Sequence, residues 1–128
     1  MKIVQYNASL YDDFLNLVIS EGEDFKEYSI TKKDDYKKAL ELSIVFLLYQ
    51  DELCIGYIRA KEDETFGLYV YDLLVHKTFR GHHYGKMLLD HLSSLYPDQT
   101  IYVMSDVDPY YESLGYQKIG SIFEVKKP

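Results

Sequence analysis

Apolar residues recur along the chain at two spacings, and the switches between them mark out the elements. Lys2–Tyr6 reads as a short opening strand. Leu10, Phe14, Leu17 and Val18 then fall at i, i+4, i+7 and i+8, the stripe that one helix face presents to a core. Ser9 is placed to cap that helix, Asp12 and Asp13 lie in its first turn where the macrodipole favours acid, and Gly22 marks its end. A second helix is predicted after Thr31, with Tyr36, Ala39 and Leu40 on one side and charges on the other. Ile44–Tyr49 is a continuous β-prone run, Gln50-Asp51-Glu52 a turn and Leu53–Ala60 a second strand, together a hairpin. After the turn at Glu62-Asp63-Glu64, Phe66–Val75 makes the third strand of this antiparallel set. Leu88, Leu92 and Leu95, with Leu89 and Tyr96 beside them, predict a helix from about His83 that Pro97 stops. Ile101–Met104 is a short buried strand, so strand, helix and strand form a parallel, right-handed crossover. Asp108 as N-cap with Pro109 behind it opens a last short helix that ends at Gly115, and Tyr116–Val125 supplies one or two final strands. The order β-α-α-β-β-β-α-β-α-β is that of an α/β chain with a mixed, α+β-type sheet, in one domain over residues 1–128.

Charge singles out one link in this order. The whole chain stands at −7, yet His76–Lys86 carries Lys77, Arg80 and Lys86, with His76, His82 and His83, and no carboxylate. The link joins a strand end to a helix start and holds Gly81 and Gly85. The first N–H groups of a helix have no partners within it, and the dipole adds partial positive charge there, so such a turn is suited to an anion. The acidity of the rest argues against nucleic acid as a partner. No apolar run is long enough for a bilayer, no signal-peptide core follows Met1, and the single cysteine, Cys54, suits a reducing, cytoplasmic setting as a small buried hydrophobe.

Arg80-Gly81-His82-His83-Tyr84-Gly85 resembles the R/Q-x-x-G-x-G/A signature of the GNAT family of N-acetyltransferases, preceded as in that family by a strand ending in Leu74-Val75. A second segment, Tyr110-Tyr111-Glu112-Ser113-Leu114-Gly115-Tyr116, resembles the family's aromatic-Tyr-Glu-x-Leu-Gly-Phe/Tyr stretch before its final strands. The resemblance implies the acyl-CoA N-acyltransferase fold, with central strands splayed apart to admit the pantetheine arm of acetyl-coenzyme A. It implies that the amides of Arg80, Gly81, His82, His83, Tyr84, Gly85 and Lys86 bind the pyrophosphate, and that Leu74 and Val75 offer backbone groups to the pantetheine. The sequence departs from the signature at His83, where the family has Gly. Tyr111 matches the family's general acid, and Tyr110 beside it points roughly a hundred degrees away on a helix.

The family's glutamate base falls near Tyr69 by this alignment, so Asp72, the one acid on that strand, is the candidate base, directly or through water. Its alternative is a carboxylate hydrogen-bonded within the strand region. Glu21, Glu23, Asp24 and Glu27 read equally as solvated surface or as an acidic rim for a cationic acceptor. Adjacent His82 and His83, with no HExxH and no cysteine pair, point to no metal. Most of the 14 tyrosines are core and sheet residues, and some are suited to an acceptor pocket. The resemblance thus implies acetyl transfer from acetyl-coenzyme A to a primary amine of a small molecule or protein, by direct attack in a ternary complex, with no nucleic acid and no membrane as partner. A second acyl donor or an amino-acid acceptor is a variant of the same reading. The rival is a domain of the same fold that binds acetyl-coenzyme A or a protein without turnover. A homodimer is admitted, and the sequence does not decide it.

Overall fold

The computed structural model describes every residue, Met1–Pro128. Five strands form one sheet in the order β1 (Lys2–Gln5), β2 (Ile44–Gln50), β3 (Leu53–Glu62), β4 (Leu68–Val75) and β5 (Ile101–Val103). The first four are antiparallel, and β5 joins β4 in parallel. Helices α1 (Tyr11–Glu21) and α2 (Lys33–Glu41) cover one face. The other is covered by α3 (Tyr84–Leu95), with α4 (Asp108–Ser113) beside it. No helix is long and apolar enough to cross a membrane.

β2 and β3 lie between the two helical layers, which is why their sequences are continuous apolar runs rather than alternating ones. Phe14, Leu17, Tyr36 and Leu40 pack on Val45, Leu47, Tyr57 and Leu74. Leu88, Leu89 and Leu92 pack on Phe46, Leu48, Ile58 and Val70. Gly56 sits where β3 meets α3, and a Cβ there would lie 3.0 Å from the Leu74 carbonyl oxygen and 3.5 Å from Leu88 Cδ1.

A bulge in β4 decides which face its later side chains reach. Arg59 pairs with Asp72 but Ala60 pairs with Val70, so Tyr71 is an extra residue. Before it, Leu68 and Val70 point toward α3; after it, Leu74 points toward α1 and α2. Asp72 turns the same way, is 8 % exposed, and meets Arg59 Nε at 2.5 Å. The Tyr28 hydroxyl donates to Asp72 Oδ1 at 3.0 Å, and the Tyr36 hydroxyl donates to Oδ2. Tyr36 also shares a hydrogen bond of 3.1 Å with Tyr57. Burial first, then the Asp72 charge, pushes the Tyr36 phenol well above its ordinary pKa, so it remains a donor to this carboxylate. The ion pair is thus surrounded by hydrogen bonds that satisfy it, as a desolvated pair requires.

Three local expectations are corrected. Asn7 rather than Ser9 opens the first helical segment: its side chain accepts from the Ser9 N–H at 2.9 Å, and a 3₁₀ turn over Ala8–Leu10 precedes α1. Asp108 is the first residue of α4 rather than its cap: Val107 holds the cap position, and the Asp108 carboxylate accepts from the Ser105 hydroxyl at 2.8 Å. As expected, α1 ends at Gly22, and a 3₁₀ turn (Gly22–Phe25) and a π-helical turn (Glu27–Thr31) follow it. The final strands do not form in this chain. Gly115 is left-handed (φ 83°), Tyr116 N–H bonds back to the Tyr111 carbonyl at 3.2 Å, and Lys118 holds Asp108 at 3.2 Å. From Gln117 onward no backbone hydrogen bond is made. Gly120-Ser121 interrupts the β-prone residues there, and these contacts tie the start of the segment to α4 rather than to β5.

Removing one member of the buried pair should cost more than removing both. We expect Arg59→Met to lower unfolding free energy by about 3 kcal/mol or more, and Arg59→Met with Asp72→Leu to recover at least half of it. Urea denaturation of the two variants checks this.

Candidate functional site

The loop between β4 and α3 is built from local bonds that leave its second half open. His76 N–H continues the β3–β4 ladder by donating to Ile55 O at 2.7 Å, and His76 Nδ1 accepts from the Thr78 N–H at 3.1 Å. A 3₁₀ turn over Lys77–Phe79 follows. Beyond it, none of the amides of Gly81, His82, His83, Tyr84, Gly85 and Lys86 donates to a backbone acceptor; the first bond of α3 runs from Met87 N–H to His83 O at 3.0 Å. His83 precedes the helix with φ 63° and ψ 23°. This left-handed conformation is the one that favours Gly at that point. The loop therefore departs from the signature's residue while adopting a backbone that a glycine would take without strain.

The cations of the loop are less free than the sequence suggests. The Arg80 guanidinium donates to both carboxylate oxygens of Glu21 at 2.9 and 2.8 Å, and its Nε donates to the Val75 carbonyl at 3.0 Å. Arg80 therefore pins the loop to the end of β4 and to α1. Lys86 pairs with Asp90 one turn along α3 at 2.7 Å. Sequence proximity had cleared this stretch of acid, and the fold brings acid back to two of its three cations.

β5 pairs with β4 only through Leu68–Val70, and the last bond between them runs from Met104 N–H to Val70 O at 2.9 Å. Beyond that point Tyr71–Val75 has no neighbouring strand on its outer side, and the opening leads to the start of α3. This is the splay expected of the fold. Gly85 lies buried at that helix start, where a Cβ would run into the Tyr110 hydroxyl. Tyr110 and Tyr111 stand edge to face, ring centroids 5.1 Å apart. Tyr110 reaches the loop, whereas Tyr111 is partly buried against the α3-side core and lines a cavity beside β5 with Met104 and Ser105. Burial, then the charge of Asp106, pushes the Tyr111 phenol up to about 12.

On the opposite face, Tyr28 stacks on Tyr36 at 3.9 Å between centroids, and Arg59 lies over the rings of Tyr36 and Tyr71 at 5.2 and 5.5 Å. Asp72 is enclosed by this group. Glu21 is spent on Arg80 and Glu27 pairs with Lys32 at 3.2 Å, which leaves Glu23 and Asp24 as the unpaired acids of the segment. The histidines do not converge. His82 packs by Tyr84, His76 by Phe79 and His91 by Phe46.

A family model described as "Acetyltransferase (GNAT) domain" matches residues 41–118, more than half of the chain. The chain belongs to the GNAT acetyltransferase family. Solved structures agree on the fold. A GNAT-family acetyltransferase from Streptococcus pneumoniae aligns with TM-score 0.76 at 17% identity, covering 98% of both chains. The aminoglycoside N-acetyltransferase AAC(6')-Iy in complex with CoA aligns with TM-score 0.78 at 14% identity, covering 98% of this chain and 93% of that one. An aminoglycoside acetyltransferase from an uncultured soil metagenomic sample gives 0.74 at 20%, covering 99% and 98%. No curated protein sequence matches.

Arg59, Tyr28 and Tyr36 were not singled out from the sequence as site residues, and Glu21 was read only as part of the acidic segment, not as the partner of Arg80. Arg59 was legible in one respect: a charged residue within a β-prone strand, on the strand just before that of Asp72, has need of a partner. Nothing local marked the tyrosines. Replacing His83 by Gly should relieve the left-handed backbone, and we expect stability to rise by roughly 0.5 kcal/mol, net of the greater freedom of the unfolded glycine. Thermal unfolding of His83→Gly measures this.

Proposed function

We propose that this GNAT protein transfers an acetyl group from acetyl-coenzyme A to a primary amine by direct attack in a ternary complex. The observation that carries the reading is the run of unpartnered amides Gly81–Lys86 at the start of α3, placed where β4 and β5 part. That AAC(6')-Iy is solved with CoA, and with a CoA-linked bisubstrate analogue, supports the same donor. The pyrophosphate takes the loop amides, and the pantetheine lies along the free edge of β4 at Leu74 and Val75, where it competes with Arg80 for the Val75 carbonyl. The amine nitrogen attacks the thioester carbon, its proton goes to a base, and the C–S bond breaks as the thiolate gains a proton or a hydrogen bond.

Tyr111 is our candidate for that last step, on its match to the family acid and its place on the rigid α4. A phenol pushed up to about 12 stays protonated, and so able to donate, to a higher pH than an ordinary tyrosine. Tyr110, at Gly85, is placed instead to influence the phosphates. Tyr111→Phe should lower kcat at least about tenfold with cofactor affinity kept, while Tyr110→Phe should move cofactor affinity more than kcat. The kcat of the wild type should show no alkaline decline from Tyr111 below about pH 11. Steady-state rates with chemistry limiting, and calorimetry with coenzyme A, separate the two.

Arg59 and two tyrosines already occupy the oxygens of Asp72, the candidate base. An incoming amine reaches it only through the Tyr28 hydroxyl or a water. This one observation favours the rival reading, a domain that binds acetyl-coenzyme A without turnover. Thiol release measured over a panel of amines, alongside coenzyme A binding, decides between them: binding with no release for any amine would support the rival. For the acceptor we favour a cation, drawn by Glu23 and Asp24. Neutralising both should raise the apparent acceptor KM at low salt, with cofactor affinity unchanged, and the effect should fade at high salt as screening shortens to ~10 Å or less.

A further inference from the structure

We propose that the Tyr28 hydroxyl oxygen receives the acceptor amine, accepting a hydrogen bond from its N–H, and that Asp72 holds the Tyr28 hydrogen rather than taking the amine's proton. The inference rests on the acetyl-transfer reading and names the acceptor contact within it. Both oxygens of Asp72 are taken. Arg59 Nε donates to Oδ2 at 2.5 Å, the Tyr36 hydroxyl donates to the same oxygen, and the Tyr28 hydroxyl donates to Oδ1 at 3.0 Å. A proton placed on this carboxylate would leave the Arg59 guanidinium, in a side chain only 14 % exposed, without its counter-charge. Of the three phenols in the cluster, Tyr57 and Tyr36 are 0 and 7 % exposed and Tyr28 is half-buried, so the cluster meets solvent through Tyr28.

A tyrosine hydroxyl has one hydrogen, and Tyr28 commits it to Asp72, so what remains to offer a substrate is the lone pairs of its oxygen. The ring is held in place. It stacks on Tyr36 at 3.9 Å between centroids and meets Phe25 edge-on at 5.3 Å, and its backbone lies in the π-helical turn closed by Lys32 N–H on Glu27 O at 2.7 Å. The charged and titratable groups that face it are Asp72, Arg59 and Glu27, with Tyr36 and Tyr57 behind them. Burial first, then the Asp72 charge, pushes the Tyr28 phenol up to about 12, so it stays a neutral, fixed acceptor. Its place suits the reaction. Asp72 stands two residues before Leu74 in β4, about 7 Å back along the strand, so a thioester carried along Leu74 and Val75 ends near the Tyr28–Asp72 contact. The unpaired acids Glu23 and Asp24 lie on the 3₁₀ turn just before Tyr28. The ammonium gives one proton to water before attack. The N–C bond then forms and the C–S bond breaks, the nitrogen's second proton leaves to water, and Tyr111 protonates the thiolate.

Thiol release from acetyl-coenzyme A, followed across pH with glycinamide and n-butylamine, a weakly and a strongly basic primary amine, tests this on the full chain. In the wild type, kcat/KM for each amine should rise up to the pKa of that amine, so the two profiles are displaced by the difference between the amines. Tyr28→Phe keeps the ring stack and should lower kcat/KM for both amines about three- to tenfold at every pH, the size of one neutral hydrogen bond. Coenzyme A affinity by calorimetry and thermal unfolding should be unchanged in that variant. Asp72→Asn should leave both midpoints in place, and its effect should not add to that of Tyr28→Phe, because the two act through one hydrogen bond. A midpoint common to both amines would reveal a base in the protein and overturn the proposal. So would Tyr28→Phe turning over at the wild-type rate, or additive effects in the double variant. No thiol release from either amine by the wild type would overturn the acetyl-transfer reading and this inference with it, whereas release indifferent to Tyr28 would overturn this inference alone.

Discussion

β4 spans Leu68–Val75 and its parallel partner only Ile101–Val103, and the opening beside α3 depends on that inequality. A parallel strand must return through a helix, and here α3 begins directly beside the unpaired half of β4. The opening between the strands and the free amides of the helix start are therefore one feature. A longer β5 would close the ladder and remove the slot. The bulge at Tyr71 adds to this by turning Asp72 and Leu74 onto the α1–α2 face at the same level of the sheet where β5 departs. One strand thus presents a backbone edge toward the opening and a buried carboxylate toward the opposite helices.

Charge in this protein is arranged by the fold rather than along the chain. Arg80 and Glu21 lie far apart in sequence and meet as a bidentate pair across the mouth of the loop, with Arg80 half-exposed and Glu21 nearly buried. Such a pair tethers the loop in the free protein and can be exchanged when an anion arrives, because the guanidinium is exposed enough to turn. Arg59 and Asp72 are different in kind. Both are sequestered, both are surrounded by tyrosine hydroxyls, and their exchange would strand a charge. The first pair suits a binding loop, the second a fixed wall.

Much of this was legible in the sequence, for reasons that differ by element. The helical stripes of α1 and α3, the hairpin of β2 and β3 and the glycine-bearing link are local patterns, and local patterns survive folding. The sequence marked His83 only as a departure from the family's Gly, and its left-handed backbone emerged with the fold. The bulge was not, because a period of two along Leu68–Val75 places Val70 and Asp72 on one face and only the pairing with β3 reveals the slip. The Arg80–Glu21 contact was hidden for the same reason that the loop looked free of acid: its partner comes from another element. The final segment reads as a strand because Ile119, Ile122, Phe123 and Val125 have strand propensity, but propensity does not supply an edge to pair with.

The central claim is that the amides of Gly81–Lys86 are left without acceptors in order to receive the phosphates of coenzyme A. Hydrogen exchange followed by NMR, residue by residue, addresses it directly. In the free protein these amides should exchange far faster than those of Leu88–Leu92 in the body of α3. Saturating coenzyme A should slow several of them by at least about tenfold while leaving β1 and β2 unchanged. Amides of Gly81–Lys86 that exchange equally fast with and without bound coenzyme A would contradict the account.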